Sequence, residues 1–138
     1  MCLITEQMKP VILKEDLVVY KCLNGRNSIF YHYKWIKNRM AKTNCSSGKI
    51  NTSKPFAGCY SDDIAERTYK KQNRILLCVH RGFHACLTFA RAMEYDYSGK
   101  SICEMKIPKS ARVFKDSTGL IVSNKMMLIK PAKVKIKP

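Results

Sequence analysis

Apolar positions fall in short runs separated by polar turns. Leu17-Val18-Val19-Tyr20-Lys21-Cys22-Leu23 is β-branched and apolar, is closed by Asn24-Gly25, and reads as a buried strand. Arg74-Ile75-Leu76-Leu77-Cys78-Val79 reads as a second, leading into a turn at 81–86. Residues 101–107 alternate until Pro108 stops them, though Ile102 leaves the buried face open. Further short strands are expected at 111–115, 119–122, 126–129 and 133–137.

Helical signals are fewer. Ser61 followed by Asp62 and Asp63 can cap a helix running to about Gln72, because the acids suit its positive end. Thr88 can cap another through Asp96, where Phe89, Ala92, Met93 and Tyr97 share one face of a 3.6-residue repeat. The ring-rich segment 28–40 fits either a short helix or an irregular strand. From Thr43 to Gly58 the chain is rich in Ser, Thr, Asn and Gly, which predicts a mobile loop over 43–58. The expectation is a single α+β domain over 1–138. It would have a small, twisted, mostly antiparallel sheet, two or three short helices, and a basic C-terminal strand or tail at 131–138. The length of 138 residues suits one core.

Composition adds one strong departure. Lys and Arg number 26 against 10 acids, a net charge of +16. Attraction to phosphate-rich partners follows, and so does self-repulsion unless an anionic partner offsets it. The basic side chains are spread along the chain. Lys34, Lys37, Arg39 and Lys42 lie in one acid-free stretch, with Tyr33 and Trp35 as candidate stacking rings for nucleic acid. Arg67, Lys70, Lys71 and Arg74 lie in a second, and Lys133, Lys135 and Lys137 form one face of the last strand. No apolar run reaches the roughly 20 residues a spanning helix needs, so no membrane partner is expected. Seven cysteines, an odd count without a CxxC pair, point to reduced thiols and a host cytoplasm.

Candidate chemistry is sparse. Cys78, His80, His84 and Cys86 carry zinc-ligand atoms, but their order is neither a finger nor a ribbon spacing and no second knuckle pairs with it. Buried thiols acting as small apolar side chains are the simpler reading, and no metal is expected. Pairings of Cys86 with His84, or of Cys59 with His80, lack any flanking signature of a nucleophilic cysteine.

Arg81-Gly82-Phe83-His84-Ala85-Cys86 followed by a short helix toward Tyr95, with Val19-Tyr20-Lys21 before it and 119–129 after it, resembles small uncharacterised bacteriophage proteins. The same order is distantly similar to a minimal ADP-ribosyltransferase-like fold. That resemblance implies NAD as cofactor and a pocket lined by Lys21, His84, Tyr95 and Glu104. The chain departs from it by placing Lys21 where transferases have His or Arg, and by having no late acidic pair. The expected function is therefore a non-enzymatic, phage-type accessory protein without a cofactor. It would bind nucleic acid, a nucleic-acid-containing host complex or an acidic protein surface. An NAD-using transferase that modifies a host target, or a virion or assembly component, are the alternatives.

Overall fold

In the computed structural model, residues 3–7, 9–24, 27–28, 34–51, 75–94 and 101–132 are described. They form a protein built almost wholly from antiparallel strands. In chain order these are β1 (Leu3–Thr5), β2 (Val11–Ile12), β3 (Leu17–Asn24), β4 (Asn27–Ser28), β5 (Met40–Lys42) and β6 (Ser46–Asn51). After them come β7 (Ile75–Arg81), β8 (Phe83–Cys86), helix α1 (Phe89–Met93), β9 (Ser101–Ile107), β10 (Arg112–Lys115), β11 (Leu120–Ser123) and β12 (Lys125–Pro131).

One sheet has the order β1-β7-β6. The other runs β2-β10-β11-β8-β3-β9-β12-β5, with β4 paired to β3. The larger sheet must curl. Its neighbours β11 and β12 in sequence stand four strands apart, about 19 Å across a flat sheet at the usual spacing. Yet only Asn124 separates them, and two peptide units reach about 7 Å at most. The two ends of the sheet therefore meet at Asn124. Its N–H donates to the Arg112 carbonyl (3.2 Å), and its own carbonyl accepts from the Thr43 N–H (2.8 Å). Buried Ser123 braces the bend, its hydroxyl donating to the Lys125 carbonyl at 2.7 Å.

Alternation then sorts the side chains. Val19, Leu23, Phe83, Ala85, Cys103, Met105, Ile107, Ile121, Met126 and Leu128 point inward, with Trp35, to fill an incomplete barrel. Cys22, Cys86, Ile102, Phe114, Leu120 and Val122 point outward. They are covered by Leu3, Leu77 and Val79 of the small sheet and by Ala92 of α1.

Gly82 makes this two-layer arrangement possible. The chain leaves β7 in the small sheet and enters β8 in the barrel across this one residue, at φ 138°. A Cβ there would sit 2.5 Å from Val122 Cγ1 and 3.1 Å from Cys45 Sγ, so only glycine fits both the backbone and the space.

The α+β expectation is corrected: strands dominate, and among the described residues α1 is the one α-helix, five residues long. Thr88 does cap it, accepting from the Arg91 N–H at 3.1 Å, but the helix stops at Met93. The reason lies in burial: the segments left open by their patterns are extended, because a strand on a curled sheet buries short apolar runs on both faces. Phe83–Cys86, read as a turn, is such a strand. So is part of the loop expected at 43–58, where Ser46–Asn51 runs along β7. Its small polar residues are held by the main-chain ladder, which needs no apolar side chain. Within 28–40, Trp35 and Ile36 lead into a turn at Lys37-Asn38, with Asn38 at φ 62°. The helix expected at 61–72, the remainder of the 43–58 loop and the C-terminal segment from 133 lie outside the described residues.

Candidate functional site

Among the described residues, the outer face of the barrel is covered only in part. Over β10, β11, β8 and the second half of β3 it lies beneath the small sheet and α1, where Tyr20 meets Phe89 edge-on at 5.9 Å. Over β9, β12 and β5 the outward residues include Lys42, Lys106, Lys125 and Lys130, interleaved with Met40, Met127 and Glu104. Lys125 pairs with Lys42 and Met127 with Met40 across β12 and β5. Met127 also pairs with Lys106, and Lys130 with Glu104, across β12 and β9. Because Met126 and Ala41 between them are buried inside the barrel, Lys42, Lys106 and Lys125 all leave by the outer face.

Acids neutralise part of this surface. Lys106 lies 3.4 Å from Asp16, and Lys130 lies 3.9 Å from Glu104. Asp16 also accepts from the Lys109 N–H, and that hydrogen bond is the main reason its carboxyl is held below the ordinary carboxylate value. No salt bridge reaches Lys42 or Lys125 among the described residues. These two residues stand directly opposite each other, with Cβ atoms at the cross-strand spacing of about 5 Å, where like-charged side chains destabilise the pair. The turn bearing exposed Lys37 and Arg39 is pinned against the same strand, the Asn38 N–H donating to the Leu128 carbonyl at 2.9 Å.

Of the residues expected to meet a polyanion, exposed Lys37, Arg39 and Lys42 are therefore at or beside this face, and Lys34 is exposed. Trp35 is corrected: it is fully buried, its ring 5.0 Å from that of Phe83, and offers no surface to a base. Tyr33, Arg67, Lys70, Lys71, Arg74, Lys133, Lys135 and Lys137 lie outside the described residues. Lys106, Lys125 and Lys130 were not singled out from the sequence. For Lys106 and Lys125 the signal is positional, since each takes the polar slot of an alternating strand whose other slot is buried, whereas Lys130 is in phase with buried Met126 and Leu128 and reaches the outer face only through the register shift after Leu128.

Of the residues implied by the transferase resemblance, Lys21 and His84 are brought together, the Lys21 ammonium donating to the His84 main-chain carbonyl, while Glu104 lies on the opposite face of the sheet. Lys21 belongs to the inner face between Val19 and Leu23, whereas Glu104 pairs with Tyr20 on the outer face and meets Lys130. His84 points outward with Val122. Its Nδ1 and Nε2 lie 3.1 and 3.3 Å from the Gly82 and Val79 carbonyls, so the ring braces the corner between the sheets. Burial first, then the Lys21 ammonium, lowers its pKa to about 4. Tyr95 lies outside the described residues.

The thiols belong to the packing. Cys78 and Cys86 are buried, and desolvation pushes both up to about 11, far from a reactive thiolate. Among the described residues no three His, Cys, Asp or Glu side chains are grouped to hold a metal ion. Nor does any described helix have the length and apolarity to cross a membrane. Compared with known proteins, the chain matches no family model, no curated protein and no solved structure.

Proposed function

We propose that the uncovered lysine face of β9, β12 and β5 binds the phosphate backbone of nucleic acid, and that the protein acts by binding without catalysis. The observation that carries this reading is the Lys42–Lys125 pair. Two lysines paired directly across the strands, with no salt bridge to either among the described residues, cost stability, and bridging phosphates would remove that cost. The net charge of +16 supplies the long-range attraction. With Trp35 inside the core and thioethers (Met40, Met127) beside the lysines, the face contacts phosphates and reads no bases.

Fluorescence anisotropy with labelled duplex and single-stranded oligonucleotides, titrated with salt, tests this directly. Affinity is expected to fall steeply with salt. The Lys42→Glu/Lys125→Glu variant should flatten the slope of log K against log salt by about 1.8 on duplex, since each phosphate contact contributes about 0.9. An absence of binding at low salt, or a double variant with unchanged affinity and slope, overturns it.

A further inference from the structure

Outward side chains on the half of the barrel away from the small sheet fall into rows that cross the strands. Met40 stands opposite Met127, Met127 opposite Lys106, and Lys106 opposite Val18, so one row spans β5, β12, β9 and β3. Three of its four members are apolar, none is buried, and Val18 is 47% exposed. Ile36, also 47% exposed, lies in the turn pinned to Leu128 beside them. Two residues along the strands, about 7 Å away, Lys42 and Lys125 form a parallel cationic row. On the other side of the apolar row stand Lys130 and Glu104.

We propose that this apolar row takes the base faces of single-stranded nucleic acid while the Lys42–Lys125 row holds its phosphates. The contact rests on the phosphate binding proposed above and specifies which form of the polymer is bound. Charge complementarity sets how the strand lies. Its phosphates go to the Lys42–Lys125 side, because Glu104 carries a negative charge on the other, and its bases fall across Met127 and Met40.

A duplex keeps its base faces inside its own stack and offers phosphate, sugar and base edges, so it would leave these apolar side chains against polar groups. An unpaired base has a free π-face, and a methionine sulfur is a favourable neighbour for an aromatic ring. Such contact tolerates any sequence, in keeping with a surface that reads no base edges. Apolar side chains flanked by lysines also suit an anionic bilayer. Lys106 argues against that occupant. It stands inside the row between Met127 and Val18, 3.4 Å from Asp16, and insertion would drag both charges out of water.

Anisotropy on the full-length chain at about 50 mM salt compares labelled oligothymidylate, an abasic strand of equal length and charge, and a duplex of that length. Oligothymidylate should bind at least about tenfold tighter than the abasic strand, as stacking of one or two bases supplies. Met40→Ser/Met127→Ser should remove that advantage and leave abasic and duplex affinities within about twofold of wild type. Equal affinity of the wild type for oligothymidylate and the abasic strand overturns the inference, whether or not the variant folds. So does a double variant that weakens binding of every probe alike. Phosphatidylserine vesicles at matched phosphate should leave oligothymidylate bound; its displacement would assign the row to a bilayer and overturns it too. Failure of every probe to bind overturns the phosphate reading and this one with it. Equal, salt-dependent binding of the two single strands leaves phosphate binding standing and overturns this one alone.

Discussion

Beneath α1 and the small sheet, the outward positions of β3, β8, β10 and β11 are Cys22, Cys86, Phe114 and Val122. Further round the same barrel, the equivalent positions of β9, β12 and β5 are Lys106, Lys125 and Lys42. Strand geometry and alternation are the same in both regions, and apart from Lys21 on β3 the inner side is apolar in both. What differs is the cover. β3 crosses the boundary by itself: Cys22 is buried under the small sheet, Tyr20 meets the helix edge-on, and Val18 is 47% exposed beside Lys106. The outward positions are thus apolar under the second layer, and on the other half they mix lysines with Val18, Met40, Met127 and Glu104. Among the described residues the lysine half has no second layer, and Lys42 and Lys125 on it have no salt bridge.

The cover depends on the corner at Gly82, so the largest effect should come from breaking it. Gly82→Ala places a Cβ 2.5 Å from Val122 Cγ1 at a φ that side chains rarely adopt. The expected loss is at least about 3 kcal/mol in urea denaturation, from overpacking and backbone strain together. Unchanged stability would mean that the small sheet docks without this corner. The lysine face, two to four strands from β8 in the sheet order, should keep its salt-dependent binding in whatever fraction remains folded.

His84 tests the same corner through pH. Its folded pKa of about 4 lies below the ordinary 6.5, so as pH falls the unfolded chain takes up the proton first. Stability contributed by the neutral ring is fully present above pH 6.5 and is lost between 6.5 and 4, about 3 kcal/mol at most. The two carbonyls facing the ring favour its protonation, but burial outweighs them. Urea midpoints for wild type and His84→Gln should diverge at pH 7 and converge toward pH 4. Parallel curves would place the titration elsewhere.

Much of the strand pattern was legible because it is local. Alternation in 17–23 and 101–107 marks β3 and β9, and Thr88 marks the start of α1. Ile102 made the buried face of β9 ambiguous for a physical reason: it lies under the second layer while Cys103 lies in the barrel, so that end of the strand is buried on both faces. Phe83–Cys86 was unreadable as a strand because the glycine that joins it to β7 looks like a turn when the two sheets are unknown. Ser46–Asn51 was hidden for the opposite reason, since its ladder to β7 leaves no mark on side-chain type. The lysine face was missed as a unit because charge was read in runs. Lys42, Lys106 and Lys125 come from three separate stretches, and only the closure at Asn124 and the strand register bring them side by side.

The smallest effect in stability separates a functional surface from a merely soluble one. Lys42→Glu would replace the like-charged cross-strand pair with an opposite-charged one facing Lys125. Such a change is worth about 0.5 kcal/mol in favour of the folded state, fading at high salt because the pair is near solvent. Lys42→Ala should gain less, by relieving repulsion alone, and Lys42→Glu/Lys125→Glu should return near the wild-type value by restoring a like-charged pair. If the face exists to hold phosphates, the single Lys42→Glu variant must be both more stable and weaker in binding oligonucleotide, two changes of opposite sign from one side chain. A variant that gains stability and binds as before would show that the repulsion is tolerated for solubility, and that the nucleic-acid contact lies on another part of the molecule.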